Sequence, residues 1–325
     1  MKETVGQPAS ASRVVDFPTP RNRESLTVRQ LADAYMAQYA GRDNARPARV
    51  QWWCDRIGDM RIVDLDADLI ADHLDAYASE PRQKYMGRDA DDRPVLRNLG
   101  ERRPATINRM KSTLGALLTL ARARRLTPRG WVNPMRDVPG RRESNARTRF
   151  LSPEEQVRLL SVARLSSWPG LYLLALMAIT TGARKSELLS LRGVDLDLER
   201  GTAHLRSTKN GSQRVLRLVP EVVAEIRRVG APRGEALLFP STRKPAQAMD
   251  FTGHFARALR DARIEDATFH TLRHTHASVL AMNGASLVEI ADSMGHRTME
   301  MVRRYAHLAV DHKIALIDRV FAGAR

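Results

Sequence analysis

Two segments in the second half of the chain combine a basic side chain with a local geometry that suits phosphate binding. Gly182 ends an apolar helix and Arg184 opens the next one, where a guanidinium beside free backbone N–H groups can grip a phosphate. Glu187 follows three residues later and can pin that arginine or stitch the helix. Lys209 lies at the tip of a hairpin predicted from Asn210-Gly211, a pair favoured in tight turns. Alone, each is more often an ordinary solvated residue.

Two further segments add imidazoles and a phenol. His270, Arg273 and His274 share one face of a predicted helix and offer two imidazoles and one guanidinium to a single oxyanion. His296 follows a glycine, and Tyr305 comes nine positions after it. Cations grouped in this way can stabilise negative charge on a bound oxyanion.

The overall charge agrees with a polyanionic partner. The 325 residues carry a formal net charge of +16, a sequence pI of about 10.8 and 43% hydrophobic residues, enough for sizeable cores. Nucleic acid is the first partner that this charge suggests and an anionic membrane surface the second. Residues 1–147 and 148–325 each carry +8, so both halves are expected to touch the partner if it is duplex DNA. A single cysteine excludes a disulfide scaffold, and no apolar run is long enough for a membrane span or a signal core. We therefore expect a cytoplasmic, nucleoid-associated protein with no membrane partner.

Hydrophobic periodicity divides the chain into two helical parts. We predict a flexible leader over 1–24, a helical domain over 25–134, a basic linker over 135–149 and a second domain over 150–325 that ends in a tail helix. The first domain shows almost no strand signal, and its residues 82–103 have the composition of a loop. The second domain shows helical patterns and one small β element over 202–218. The predicted fold class is mainly α with a small β-sheet or hairpin in the C-terminal domain.

Taken in order along the chain, these motifs resemble the tyrosine recombinase family of phage integrases and chromosome-dimer-resolving recombinases. The likeness covers roughly residues 150–310, whereas the first half resembles the family's core-binding domain only in length, helicity and charge. Ala183 and Met294 stand where the family often has Leu, which should affect packing rather than chemistry. The likeness implies a two-domain DNA clamp with Tyr305 as nucleophile. The assisting residues that it implies are Arg184, Lys209, His270, Arg273 and His296.

The chemistry of these residues can be rationalised from their types. The two arginines clamp the non-bridging oxygens, and His296 donates a further hydrogen bond. His270 accepts or relays the proton of Tyr305, whose ordinary pKa is about 10. Lys209 returns a proton to the leaving 5′-oxygen. Because a 3′-phosphotyrosyl bond stores the energy of the broken phosphodiester, no cofactor is required.

A metal site is the main alternative use of the histidines. His270 and His274 have a zinc-compatible spacing, but no His-Glu-x-x-His pattern exists and the neighbouring arginines repel a cation, so no metal is expected. His274, His276 and His307 are interpreted as structural or phosphate-contacting residues, and His254 is left unassigned.

The tail helix carries an apolar stripe with two open interpretations. The stripe packs on the chain's own core, or, as the family likeness suggests, it docks into a neighbouring protomer. Its members are Ile314, Ile317, Val320 and Phe321.

Three function hypotheses stay open at this point. The first is a site-specific recombinase or integrase that acts as a homo-tetramer on paired sites of double-stranded DNA, with accessory DNA-bending proteins as further partners. The second is a topoisomerase of type IB character that relaxes supercoils alone. The third is a DNA-binding protein without catalysis. The two-domain length and the apolar stripe favour the first.

Overall fold

The chain forms two compact units, residues 1–144 and 145–325. The computed structural model describes residues 23–41, 43–89, 91–143, 149–206, 214–296 and 298–321. The leader predicted over 1–24 lies outside the described residues up to residue 22, as do residues 144–148 of the predicted linker.

Among its described residues, the first unit contains four helices and one hairpin. The helices are α1 (Val28–Ala37), α2 (Arg46–Ile57), α3 (Ala67–Ser79) and α4 (Pro104–Ala123), with 3-10 turns at Ile62–Asp64 and Pro134–Arg136. Thr27 begins α1 with a capping box. Trp53 and Leu114 lie in the core, and Trp53 Nε1 donates to the Met110 carbonyl at 3.0 Å. Part of the predicted linker belongs to this unit, since Met135 and Val138 are buried in the same core.

A β-hairpin replaces the loop that the sequence predicts over 82–103. Strands β1 (Gln83–Arg88) and β2 (Pro94–Asn98) pair antiparallel. The Asp89 carboxylate accepts the backbone N–H groups of Asp91 at 3.0 Å and Arg93 at 2.9 Å, and Asp92 adopts a φ of 60°. The loop prediction was wrong because these polar residues build a tight turn, and the turn rather than an apolar alternation specifies the strands.

The second unit is mainly helical with one small sheet. Its helices are α5 (Pro153–Arg164), α6 (Gly170–Thr181), α7 (Lys185–Leu189), α8 (Pro220–Val229), α9 (Thr252–Asp261), α10 (Phe269–Met282), α11 (Leu287–Met294) and α12 (Val310–Phe321). Strands β3 (Leu196–Asp197), β4 (Thr202–Leu205) and β5 (Arg214–Arg217) form an antiparallel sheet in that order. The predicted fold class is therefore confirmed. The Asn210-Gly211 turn falls in 207–213, outside the described residues.

Helix α6 is the centre of the second unit. It is apolar on all sides and packs against α5, α8 and α10, as a helix without a polar face must. Ser152 begins α5 with a capping box. A second cluster, including Ala277, Ile290 and Tyr305, joins α10 and α11 to the 3-10 segment Arg303–Ala309.

The apolar stripe of α12 is solvent-exposed. Ile314, Ile317, Val320 and Phe321 are 54%, 57%, 58% and 66% exposed, so these side chains do not pack on the chain's own core as one of the two interpretations expected. Within the described ranges, no helix has both the length and the apolar character that crossing a membrane demands.

Candidate active site

A glycine turn between α6 and α7 places Arg184. Gly182 has a φ of 60°, and a Cβ at this position would lie 2.4 Å from Cδ2 of His276. Arg184 therefore becomes the N-cap of α7, where its guanidinium donates to Glu187 Oε1 at 2.7 Å and to the Gly295 carbonyl at 3.4 Å. Glu187 also accepts a hydrogen bond from the Arg184 backbone N–H at 2.8 Å, so it both fixes the arginine side chain and caps the start of α7.

Glu187 holds a second arginine that the sequence did not single out. Arg214, at the start of β5, donates to Glu187 Oε2 at 2.8 Å and to the Ser293 carbonyl. The Glu187 side chain is only 4% exposed. Burial alone would raise the pKa of this carboxyl, but hydrogen bonds from Arg184 and the charge of Arg214 outweigh burial and hold the pKa below its ordinary value. Glu187 is therefore a buried anion shared by two guanidinium groups.

Helix α10 supplies the third guanidinium and two imidazoles. Arg273 is 2% exposed and donates to the carbonyls of Gly182 and Met294, the latter at 2.7 Å. Burial and the charge of Arg184 lower the pKa of Arg273 to about 10. His270 lies one turn earlier and is exposed. Partial burial of its ring is the main cause that lowers its pKa, and the charges of Arg273 and Arg184 add to it.

His296 is held in place by the end of α11. Gly295 adopts a φ of 63°, its N–H donates to Asp292 and the His296 N–H donates to Ala291, a Schellman pattern with bonds of 2.9 and 2.8 Å. A Cβ on Gly295 would lie 3.0 Å from Cδ of Arg214. Burial, then the charges of Arg273 and Arg184, lower the pKa of His296 to about 4, so the ring is neutral at pH 7.

The ring of Tyr305 packs in the second core, the cluster that joins α10 and α11 to the segment Arg303–Ala309. It is 1% exposed, and its phenolic oxygen forms a 2.5 Å hydrogen bond with Nδ1 of His274. Burial raises the pKa of Tyr305, and the charges of Arg304 and Arg273 partly offset that rise. Among the described residues, no hydrogen bond joins Tyr305 to His270, the histidine expected to take its proton.

The structure thus brings five of the six candidate residues to one place. The charges of Arg184 and Arg273 act on both His270 and His296, and the charge of Arg273 also acts on Tyr305. The sixth, Lys209, falls outside the described residues. Sequence reasoning missed the parts played by Arg214, Arg304 and His274, because their contacts join segments far apart along the chain.

Three further histidines occupy structural or peripheral positions. His276 is 7% exposed and bridges the Ile179 carbonyl at 2.9 Å and Ser293 Oγ at 2.8 Å. His254 lies on α9, and its Nδ1 is 3.4 Å from Ser167 Oγ. His307 is exposed. The described part of the chain contains no group of three or more His, Cys, Asp or Glu that can hold a metal ion.

Comparison with known proteins identifies the family. The sequence model of the phage integrase family matches residues 149–312, which contain every candidate site residue, and the chain belongs to this family. It is 33% identical over 225 residues to the shufflon-specific DNA recombinase of Escherichia coli, covering 66% of this chain and 55% of that protein. It is also 25% identical over 291 residues to the integrase of Salmonella phage P22, covering 82% of this chain and 71% of the integrase.

Solved structures share the fold across both units. The Tn1549 transposon integrase in complex with circular intermediate DNA superposes with a TM-score of 0.65 at 22% identity, covering 91% of this chain and 100% of that one. A lambda integrase dimer bound to a core site gives a TM-score of 0.65 at 18% identity, covering 88% and 97%. The chain spans about half the length of the shufflon recombinase that it matches.

Proposed function

We propose that the chain is a site-specific DNA recombinase that cuts and rejoins strands through a 3′-phosphotyrosyl intermediate on Tyr305. The observation that carries this proposal is the meeting of one phenol with Arg184, Arg273, His270 and His296 in a single cluster. Phosphoryl transfer needs a nucleophile and a fixed field of cations, and this cluster contains both. The family membership and the DNA complexes of the similar integrases support the same function.

The cations suit a phosphate that gains charge as it is attacked. Arg184 and Arg273 clamp the non-bridging oxygens, and both are already oriented by carbonyl and carboxylate acceptors, so little reorganisation is needed. Two buried nitrogens of the site, Arg214 Nε and His296 Nδ1, have no hydrogen-bond partner within the described residues. Buried polar atoms usually have hydrogen-bond partners, so these two unpartnered nitrogens support the binding of a ligand with oxygen acceptors.

The reaction balances without a cofactor. The O–H bond of Tyr305 breaks, its proton passes to an imidazole of the site, and its oxygen bonds to phosphorus while the bond from phosphorus to the 5′-oxygen breaks. That oxygen takes a proton from Lys209, the general acid that we propose on the hairpin. Attack by the 5′-hydroxyl of another strand reverses these steps and completes the exchange.

Burial of the nucleophile implies movement during the reaction. Because Tyr305 is 1% exposed, its oxygen reaches a DNA phosphorus only after the segment Arg303–Ala309 shifts. We propose that DNA binding supplies this shift by favouring a state in which Tyr305 is accessible.

Covalent capture tests the proposed function. The full chain is incubated with fragmented DNA from the cell that carries its gene, and the DNA ends joined to protein are sequenced. A nicked version of the recovered duplex then serves as a suicide substrate, because the short cleaved strand diffuses away. Wild type should accumulate a covalent adduct, and Tyr305→Phe should bind the same duplex without forming one. Cleavage by Tyr305→Phe would show that the nucleophile is wrong, and binding without an adduct by wild type would support the non-catalytic alternative.

We propose double-stranded DNA and further copies of this chain as the partners. Each half of the sequence carries +8, which suits contact with a duplex by both units. The exposed stripe of α12 suits docking in trans within a homo-tetramer on paired sites. Ile317→Ser with Phe321→Ser should bind one site normally and fail to form the four-protomer complex in sedimentation. Accessory DNA-bending proteins and a place in the nucleoid remain part of this proposal.

A type IB topoisomerase would use similar chemistry alone. The exposed α12 stripe favours recombination, because a monomeric enzyme has no use for it. A supercoiled plasmid without the captured site discriminates the two functions: a recombinase leaves it supercoiled, whereas a topoisomerase relaxes it.

A further inference from the structure

An arginine-rich pocket lies in the first unit, at the end of α4. It has a volume of about 760 Å³, and Trp131 lines it together with five arginines. These arginines are Arg23, Arg122, Arg125, Arg129 and Arg136. None of the described residues that line the pocket is acidic. The pocket belongs to the first unit, whereas the candidate active site belongs to the second.

The five pocket arginines lack the carboxylate partners that other arginines of the unit have. Arg56 pairs with Glu80, and Arg61 pairs with Asp64 at 2.6 Å. Within the described part of the chain, none of the pocket arginines forms an ion pair, and the buried Nε of Arg23 has no hydrogen-bond partner. Guanidinium groups gathered without an anion repel one another, and a buried donor without an acceptor is unfavourable. A ligand with several negative charges would remove both costs.

The backbone at the end of α4 holds one of these arginines in an uncommon conformation. Arg125 has a φ of 56°, and its N–H donates to the Arg122 carbonyl at 3.0 Å. The next N–H, of Leu126, donates to the Ala121 carbonyl at 2.9 Å. Glycine is usual at such a left-handed helix end, because a Cβ makes this conformation less favourable. Strained positions of this kind cluster at ligand sites, so an arginine here supports a binding role.

We propose that this pocket binds a free nucleoside triphosphate, with the phosphates among the arginines and the base against Trp131. Guanidinium forks match pairs of phosphate oxygens, and an indole offers a face on which a base stacks. No bond is made or broken in the pocket, so this inference is independent of the proposed function.

The shape of the pocket favours a free nucleotide over duplex DNA as the occupant. A duplex spreads its charge, with about one phosphate per 3.4 Å of axis on each strand. A nucleoside triphosphate concentrates several charges on adjacent phosphates, as a pocket that gathers five arginines requires. The volume of about 760 Å³ also lies within the range of about 300–1,000 Å³ that small-molecule sites have.

Calorimetric titration of the full chain with ATP tests the phosphate part of the proposal. Arg125→Gln with Arg129→Gln should weaken ATP binding about 100-fold, because each change removes charge-assisted hydrogen bonds worth about tenfold or more. The matched control, Arg61→Gln with Arg88→Gln, removes two charges of the same unit that are paired with carboxylates outside the pocket. This control should bind ATP as wild type does. Equal affinities of the two double variants would overturn the proposal.

Inorganic tripolyphosphate tests the part played by Trp131. Wild type should bind ATP about 10-fold more tightly than tripolyphosphate, because only ATP has a base to stack on the indole. Trp131→Leu keeps an apolar side chain towards the core on which Trp131 packs, and it should remove this difference. If wild type binds the two ligands equally, the pocket does not recognise a nucleoside.

Chemical protection of wild type decides if the double variant does not fold. Phenylglyoxal modifies accessible guanidinium groups, and Arg122, Arg125 and Arg129 are exposed. ATP should protect these three arginines and leave Arg61 reactive, whereas equal modification with and without ATP would overturn the proposal. A short DNA duplex is the competing occupant. If it displaces ATP and protects the same arginines, the pocket is part of a DNA-binding surface and the proposal is wrong.

Discussion

The buried carboxylate of Glu187 allows a sharp test of how the cations of the site are held. The substitution Glu187→Gln removes one negative charge and keeps the size and part of the hydrogen bonding. The side chain is 4% exposed, and its partners Arg184 and Arg214 are 22% and 12% exposed, so water screens these pairs poorly. Removing one partner of a buried ion pair costs about 3–5 kcal/mol. A retained amide hydrogen bond offsets about 1 kcal/mol of that cost.

We therefore expect Glu187→Gln to lower the free energy of unfolding of the second unit by about 3 kcal/mol. For a unit of this size, such a loss lowers the melting temperature by about 6–12 °C. The matched control is Glu300→Gln, since Glu300 also pairs with an arginine three residues away, at 3.2 Å, but is 79% exposed. Its loss should stay within about 0.5 kcal/mol.

The pH dependence gives the sign of the effect. Because the pKa of Glu187 is held below its ordinary value, the folded state favours the charged form. Its stabilisation is present above the unfolded pKa of about 4.3 and is lost as pH falls through the lower folded value. Urea unfolding should thus show the largest deficit of Glu187→Gln near neutral pH and a shrinking one below about pH 4. Equal losses for Glu187→Gln and Glu300→Gln would refute the bridging role.

Three other outcomes are expected. Lys209→Ala should slow cleavage of the suicide duplex, and a bridging 5′-phosphorothiolate should rescue it; without rescue, Lys209 is not the general acid. Gly182→Ala should lower the free energy of unfolding, measured in urea, by about 2–4 kcal/mol, because the new Cβ would meet His276. Gly234→Ala is the control: its φ of 55° is similar, but nothing lies within 4 Å of the new Cβ, so the loss should be about 1 kcal/mol. Equal losses would show that the contact with His276 does not matter. His276 is buried with a pKa of about 4, so the unfolded chain binds its proton first and about 3 kcal/mol of stability should disappear as pH falls from about 6.5 to about 4. Because His296 has a similar pKa and keeps its own share, His276→Asn should make the slope shallower without removing it, and an unchanged slope would contradict this origin.

Features that depend on neighbouring residues were predictable from the sequence. The capping boxes at Thr27 and Ser152 and the left-handed end of α6 at Gly182 each follow from a few consecutive side chains. The apolar run of α6 predicted a buried helix for the same reason. Such signals were enough to obtain the fold class.

Features that depend on distant contacts were not predictable. The role of Arg214 needs Glu187, 27 residues earlier, and the Ser293 carbonyl, 79 residues later. His270 and His274 share a helix face, so the sequence could not tell which one meets Tyr305. That choice depends on where the segment Arg303–Ala309 packs against α10. The hairpin β1–β2 was missed because its turn is built from aspartates, and such a composition is also typical of an irregular polar loop.

Arg273 also stabilises the fold, and this role should affect how the sequence changes in gene copies that are no longer under selection. Its guanidinium ties the carbonyl that closes α6 to the carbonyl that closes α11, and it does so from a position with 2% exposure. In a gene copy no longer under selection for the proposed function, Tyr305→Phe keeps the ring in the second core and removes only the hydroxyl, whereas loss of Arg273 removes the donor to both helix ends. Decaying copies that still make folded protein should therefore replace the tyrosine by phenylalanine before they lose the arginine.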